Sequence, residues 1–200
     1  MIHALLGSIL FLVQPCFADV DLSQVDTFLQ GDTFDAAFHN GDLSVIETKS
    51  CIGAFCDSPY DTQFSIKSVS PDQALCLGAK MDGSPISQVT ILGSDWRAMS
   101  QNRIRFEIHS LELGGFKVTL NGINSSSATV VLNGNSKTVP TRVVRLEARG
   151  AAGLTIQETV EVASGLGGMG QLVSKVVDHG TMGTDTFTVL RIVRESVGSR

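Results

Sequence analysis

The sequence predicts a mainly β protein: an antiparallel β-sandwich or barrel with a short N-terminal helix and a disulfide-stapled irregular segment. After residue 63, short runs of alternating apolar and polar residues recur at similar spacing, a pattern typical of strands with one buried face. Asn121-Gly122 and Asn133-Gly134 follow two of these runs and favour tight hairpin turns. The runs that we interpret as strands are 64–69, 89–92, 103–109, 116–120, 128–132, 139–146, 154–162, 172–177 and 187–193.

Helical patterns are short and few. The first has apolar residues at helical spacing: Leu22, Val25, Phe28 and Leu29. Asp21 can cap the start of this helix, and Gly31 lies beyond its end. The chain from there to about residue 60 is expected to be irregular. A single helical turn is predicted over 70–77, and segment 171–179 fits a strand and a helix about equally.

The N-terminus has the features of a secretory signal peptide. Residues 1–18 contain no Asp, Glu, Lys or Arg, and an apolar run over 4–13 is followed by Pro15 and by small residues before Asp19. A run of this length is too short to span a bilayer, so the mature chain is expected to have no transmembrane segment. A retained anchor is the alternative, whereas lipidation of Cys16 would require smaller residues before it. The predicted division is a signal peptide (1–18), an acidic segment containing the helix (19–62) and a β-rich domain (63–200).

Cleavage of the signal peptide leaves three cysteines: Cys51, Cys56 and Cys76. In the oxidising compartment that export implies, an odd number allows one internal disulfide and leaves one thiol. The sequence leaves all three pairings open. The predicted location is secreted or periplasmic.

Charge is unevenly distributed along the chain. The whole sequence carries −5, but residues 1–96 carry −9 and residues 97–200 carry +4. An acidic chain with a pI near 5.3 is a poor candidate for binding nucleic acid. The asymmetry is compatible with docking to a protein partner or with self-assembly, in which the acidic part of one copy meets the basic part of the next. Such an association would weaken with added salt.

Motifs that could carry catalysis or bind a cofactor are incomplete. Gly165 to Gly170 match GxGxxG but lack the surrounding βαβ pattern of a dinucleotide site, and the cysteines and histidines lack metal-site spacing, so we predict no cofactor and no metal. Candidate catalytic groups are His109, His179, Asp178 and Asp95, without a nucleophile motif beside them. Asn124 begins an N-glycosylation sequon, which matters only in a eukaryotic host.

These observations favour a protein without catalytic activity. We predict a secreted or periplasmic β-domain that binds a partner or assembles into an envelope or extracellular structure. The alternative is a secreted hydrolase with a site built on histidine and aspartate.

Overall fold

The computed structural model describes residues 21–29, 38–92, 103–166 and 172–194. The predicted signal peptide with Cys16, the candidate Asp95 and most of the glycine motif (167–170) lie outside these residues.

Strands make up most of the described chain. The helices are α1 (Ser23–Phe28) and α2 (Arg103–Leu113). The strands are β1 (Leu43–Ile52), β2 (Phe55–Cys56), β3 (Tyr60–Ser70), β4 (Gln73–Lys80), β5 (Pro85–Leu92), β6 (Lys117–Leu132), β7 (Asn135–Arg149), β8 (Thr155–Val162), β9 (Leu172–Asp178) and β10 (Thr184–Val193). Neither helix in the described part of the chain has the length and apolar character needed to cross a membrane.

The ten strands form one sheet that curls into a partial ring. Its order is β5-β4-β3-β1-β10-β6-β7-β8-β9, with β2 beside β1. All pairings are antiparallel except β10–β6, which meet in parallel at Ile192 and Leu132. Because β9 also pairs with β10, the strands from β10 through β6 to β9 close on themselves, while β1, β3, β4 and β5 extend away from the ring. The mainly β antiparallel prediction is confirmed.

Both helices pack against the ring strands. Leu22 and Val25 of α1 share a buried cluster with Ile104 and Ile108 of α2 and with inward-facing residues of β6 to β9. Burying aliphatic side chains of this size contributes about 2 kcal/mol each, which is how a helix as short as α1 is held in place. The carboxylate of Asp26 adds an ion pair of 2.7 Å to Arg105 and so joins the two helices.

The strand predicted over 103–109 is wrong, because this segment is helix α2. Alternation suggested that Ile104, Phe106 and Ile108 share one face. In the helix, Ile104 and Ile108 share the buried face at i and i+4 while Phe106 is exposed. Glu107 is buried as well, and its ion pair with Arg103, four residues earlier, explains how a charged residue can occupy the inner face.

Three other local predictions are also wrong. Segment 43–52 is strand β1 where we expected irregular chain, and 73–80 is strand β4 where we expected a helical turn. Asn121-Gly122 forms no turn, because β6 runs through it with a change of register against β7 after Leu120. The two runs predicted on either side are therefore one long strand.

The Asn133-Gly134 turn is confirmed, and the structure decides two points that the sequence left open. Asn133 and Gly134 form the β6–β7 hairpin turn with φ values of 50° and 79°, the left-handed conformation that favours Asn-Gly. The ambiguous segment around 171–179 is strand β9. Cys51 and Cys56 form the disulfide, which closes the β1–β2 hairpin, and Cys76 is a buried thiol on β4.

Candidate functional site

The structure describes three of the predicted catalytic candidates: His109, His179 and Asp178. Nε2 of His179 lies 3.2 Å from Oδ2 of Asp185, not from its neighbour Asp178. The carboxylate of Asp178 accepts the backbone N–H of Gly180 at 2.7 Å and so stabilises the turn after β9. His109 lies on the last half of α2.

Ser50 completes a contact that resembles a triad in composition but not in order. Its hydroxyl donates to Oδ1 of Asp185 at 2.6 Å, while His179 contacts the other carboxylate oxygen. In a serine hydrolase the histidine stands between the serine and the acid and accepts the serine proton. Here the carboxylate is in the middle, so His179 is not placed to activate Ser50.

The structure also bears on the predicted glycosylation site and on metal binding. Asn124 is exposed, on strand β6 and not in the loop expected for a sequon. No cluster of three or more metal-ligating side chains occurs within the residues that the structure describes.

A more informative feature is a cleft of about 310 Å³ between the extended part of the sheet and the ring. We call it the basic cleft, because its lining includes two cations. Its lining residues are Ile46, Thr48, Tyr60, Thr62, Phe64, Ile86, Arg103, Leu172, Lys175 and Phe187. The volume falls at the lower end of the range of small-molecule sites, and the mixture of apolar walls with a few polar groups is typical of them.

Residues of β1, β3 and β10 form the apolar wall of the cleft. Phe64 lies on β3 opposite Gly78 of β4, where an added Cβ would stand 3.0 Å from the Phe64 ring. The glycine therefore leaves room for this ring on the sheet surface. Ile46 of β1 belongs to a buried hydrophobic cluster, and Phe187 of β10 packs against it. The pairing of β1 with β10 brings these two strands together.

Four charged side chains form a cluster at the other wall. Lys175 of β9 places Nζ 2.7 Å from Oε2 of Glu107 and 3.6 Å from Oε1 of Glu158. Nε of Arg103 lies 2.6 Å from Oε1 of Glu107, as an ion pair without hydrogen-bond geometry. Both carboxylates are buried, and Oε1 of Glu158 has no hydrogen-bond partner among the described residues. We call Arg103, Glu107, Glu158 and Lys175 the ion cluster.

The two carboxylates of the ion cluster titrate differently. Burial alone would raise the pKa of Glu107, but Arg103 and Lys175 together outweigh it and hold this pKa below its ordinary value. Burial raises the pKa of Glu158 to about 7, with the charge of Glu107 adding to the rise and Lys175 opposing it. Glu107 is therefore a fixed anion, whereas Glu158 gains or loses its proton near neutral pH.

The charge of the ion cluster therefore depends on Glu158. With Glu158 ionised, two cations face two anions. With Glu158 protonated, one positive charge is in excess at the wall of the cleft, where Arg103 and Lys175 both reach the lining. The cleft can then accept an anionic group beside an apolar surface.

Sequence reasoning missed this site because its residues come from five strands and a helix. One signal was present: Arg103 and Glu107 stand four residues apart with opposite charge, a spacing that stabilises helices. That spacing favours α2 and would have placed both side chains on one face.

A larger hollow of about 860 Å³ lies on strands β3 to β5. Its lining is mostly glycine, serine and glutamine, with Lys67 as a charged member. It lacks the aromatic rings and the buried charges that make the basic cleft distinctive.

Comparisons with known proteins give little further information. No family model and no curated protein matches the sequence. A protein described as exported, with a YmcC-like fold, from Bacteroides fragilis has 8% identity and a TM-score of 0.38, covering 78% of this chain and 97% of its own. A LolA superfamily protein from Nitrosomonas europaea has 8% identity and a TM-score of 0.38, covering 87% and 94%. An outer membrane lipoprotein-sorting protein domain from Vibrio parahaemolyticus has 13% identity and a TM-score of 0.31, covering 89% and 92%.

Proposed function

We propose that this chain is an exported, non-catalytic binding protein whose basic cleft takes an anionic amphiphile. The ligand has an apolar chain, which lies against Phe64, Phe187 and Leu172, and an acidic headgroup, a carboxylate or a phosphate, which faces Lys175 and Arg103. The observation that carries this proposal is the presence of two cations in the wall of an otherwise largely apolar cleft.

The apolar part of the ligand has a physical reason to enter. A ligand chain that covers the aromatic and aliphatic side chains of the cleft removes their surface from water. This stabilises the complex by about 25 cal/mol per Å² of apolar surface buried. Tyr60 and Ile86, with exposed fractions of 53% and 49%, stand at the rim and remain half open to solvent in the free protein. A chain lying between them and Phe64 would cover them.

The headgroup has a cationic partner, Lys175, which loses one of its two anionic neighbours when Glu158 is protonated. Protonation of Glu158 leaves the ammonium of Lys175 with Glu107 as its remaining anionic neighbour in the ion cluster. A ligand anion then restores charge balance in a site where an uncompensated charge is costly. Binding is accordingly coupled to proton uptake near pH 7.

One further observation supports an exported protein. The Cys51–Cys56 disulfide is typical of proteins in oxidising compartments, in agreement with the secretory signal predicted in the sequence.

The experiment that tests this function is calorimetric titration with dodecanoate, and with dodecanol as the uncharged comparison. We expect dodecanoate to bind, and to bind about tenfold more weakly at pH 8 than at pH 6, because the protonated fraction of Glu158 falls by that factor. Dodecanol should bind more weakly than dodecanoate and without this pH dependence. Equal affinity for the two ligands would contradict the role of the cations.

Adding a charge at the rim of the basic cleft tests whether the ligand binds there. Tyr60→Glu should weaken dodecanoate binding about tenfold or more, because it places a charged carboxylate against the apolar chain of the ligand, while Tyr60→Phe should leave it nearly unchanged. Met81→Glu is the matched control, since Met81 is similarly exposed, at 48%, but lies outside the cleft lining. The same loss of affinity in Met81→Glu would show that the net charge of the protein, not the position of the added carboxylate, weakens binding.

A further inference from the structure

Strand β5 ends the extended part of the sheet. It pairs along its length with β4, from Ala79 opposite Pro85 to Gln73 opposite Leu92, and no other strand pairs with it among the described residues. At the other end of the strand order, β9 pairs with both β8 and β10. The sheet therefore closes at one end and leaves a long edge at the other.

From Ser87 onward this edge lacks the features that normally prevent pairing between chains. From Pro85 to Leu92 the sequence is PISQVTIL, without a charged residue and without a second proline. All of these residues except Ile91 are exposed, and the register change against β4 makes Ile86 a bulge residue and leaves Ser87 to Leu92 as a regular strand. Natural edge strands are usually short, charged or bulged, because a straight row of unpaired N–H and C=O groups is a template for another strand.

We propose that β5 is an association edge on which a second copy of this chain adds its own β5, in an antiparallel arrangement about a two-fold axis at Val89. The sheet would then continue from one protomer into the other. This proposal does not depend on a ligand in the basic cleft.

The sequence of β5 is suited to pairing with itself. A two-fold axis that keeps each sheet face continuous must pass through a residue, since facing side chains in a sheet point the same way. With the axis at Val89, Val89 faces its own copy, Gln88 faces Thr90, and Ser87 faces Ile91. Val89, which is 51% exposed, then packs against its own copy, and Ile91 lies on the same face of the sheet.

Charge favours this edge over the charged surfaces as the place where two copies meet. Each chain carries −5, so two copies repel one another over most of their surfaces. An uncharged strand is where this repulsion is weakest, and backbone hydrogen bonds supply the attraction. Isologous contacts of this kind close at a dimer and do not propagate.

The test is the solution mass of the protein expressed from the full 200-residue sequence, by light scattering behind size exclusion over a range of concentrations. We expect a dimer that dissociates on dilution and is not weakened by added salt, because salt screens the repulsion between the copies. Val89→Lys should give a monomer, since it places two ammonium groups opposite each other, whereas Met81→Lys, with the same charge change at similar exposure, should still dimerise. Circular dichroism checks that both variants are folded.

Cysteine cross-linking tests the register. Val89→Cys should form a disulfide-linked dimer under mild oxidation, because facing Cα atoms in a sheet lie within disulfide reach, and Met81→Cys should not. A wild-type protein that stays monomeric at every concentration overturns the proposal. Association that Val89→Lys leaves intact, or that high salt abolishes, also overturns it, and the latter would point to contact between acidic and basic surfaces.

Discussion

Nζ of Lys175 lies 2.7 Å from Oε2 of Glu107, inside the wall of the basic cleft. This contact joins the outer helix α2 to strand β9 and fixes the ammonium group beside the second carboxylate, Glu158, at 3.6 Å. Because Arg103 also contacts Glu107, that carboxylate is well compensated, while Glu158 shares the single cation Lys175. The difference between the two acids leads to a pH dependence of stability.

Glu158 should make the protein less stable as pH rises from 5 to 8. Its pKa is raised from 4.5 to about 7 in the folded state, so in this window the unfolded chain releases a proton that the folded chain keeps. The loss amounts to about 2 kcal/mol. Glu158→Gln should remove this loss, so the variant gains stability relative to wild type as pH increases. Urea unfolding at pH 5 and pH 8 measures the free energy of unfolding of wild type and of Glu158→Gln. An identical pH dependence in the two proteins would contradict the assignment of this loss to Glu158.

Removal of Lys175 should destabilise the fold, and more so at high pH. Lys175→Met leaves Glu158 buried without its nearest cation, which costs about 3 kcal/mol at pH 8. At pH 5 Glu158 is neutral and Glu107 keeps Arg103, so the loss should be smaller. Lys137→Met, at an exposed position on β7, is the control and should change the free energy of unfolding little. Equal losses at both pH values would show that packing, not charge, dominates.

The disulfide should add stability without being required for folding. Cys51 and Cys56 are five residues apart, so closing this short loop is worth about 2 kcal/mol in the chain-entropy description. Replacing both cysteines by alanine should lower the denaturant midpoint and leave the circular dichroism spectrum of the folded state unchanged. Collapse of the sheet signal in this variant would mean that the hairpin nucleates the structure.

Gly183 should tolerate no side chain. Its φ is 122°, and a Cβ added there would stand 2.1 Å from the carbonyl oxygen of Cys51 on the neighbouring strand. Gly183→Ala should therefore destabilise by about 3 kcal/mol or more, because backbone must move. Gly180→Ala is the control: its φ is also positive, at 64°, but the space is open, so about 1 kcal/mol is expected. Similar unfolding free energies for the two variants would exclude the steric explanation.

Local chemistry explains which elements the sequence could predict. Asn133-Gly134 folds as expected because both residues adopt the left-handed conformation that the turn requires. Asn121-Gly122 carries the same pair, but the ladder between β6 and β7 continues past it with a shifted register. Helix α2 was missed because alternation and helical periodicity coincide at Ile104 and Ile108, and the exposure of Phe106 and the burial of Glu107 separate the two patterns.

The basic cleft could not be predicted from local patterns. Tyr60, Arg103, Lys175 and Phe187 are far apart in the chain and meet because β10 lies between β1 and β9. Long-range pairings of this kind follow from tertiary packing, not from the period of any one segment. The disulfide partner of Cys51 was undetermined for a different reason: the sequence did not predict the local β1–β2 hairpin that places Cys56 opposite it.

The most direct test of the account is to locate a bound amphiphile by photolabelling. A dodecanoate analogue with a diazirine at the chain end, irradiated with the protein at pH 6, should label peptides that contain Phe64 and Phe187, which lie on the apolar wall of the cleft. Unlabelled dodecanoate should compete for this labelling, and Tyr60→Glu should reduce it. Labelling spread over the surface, or concentrated on the β3–β5 hollow around Lys67, would contradict the assignment of the basic cleft as the binding site.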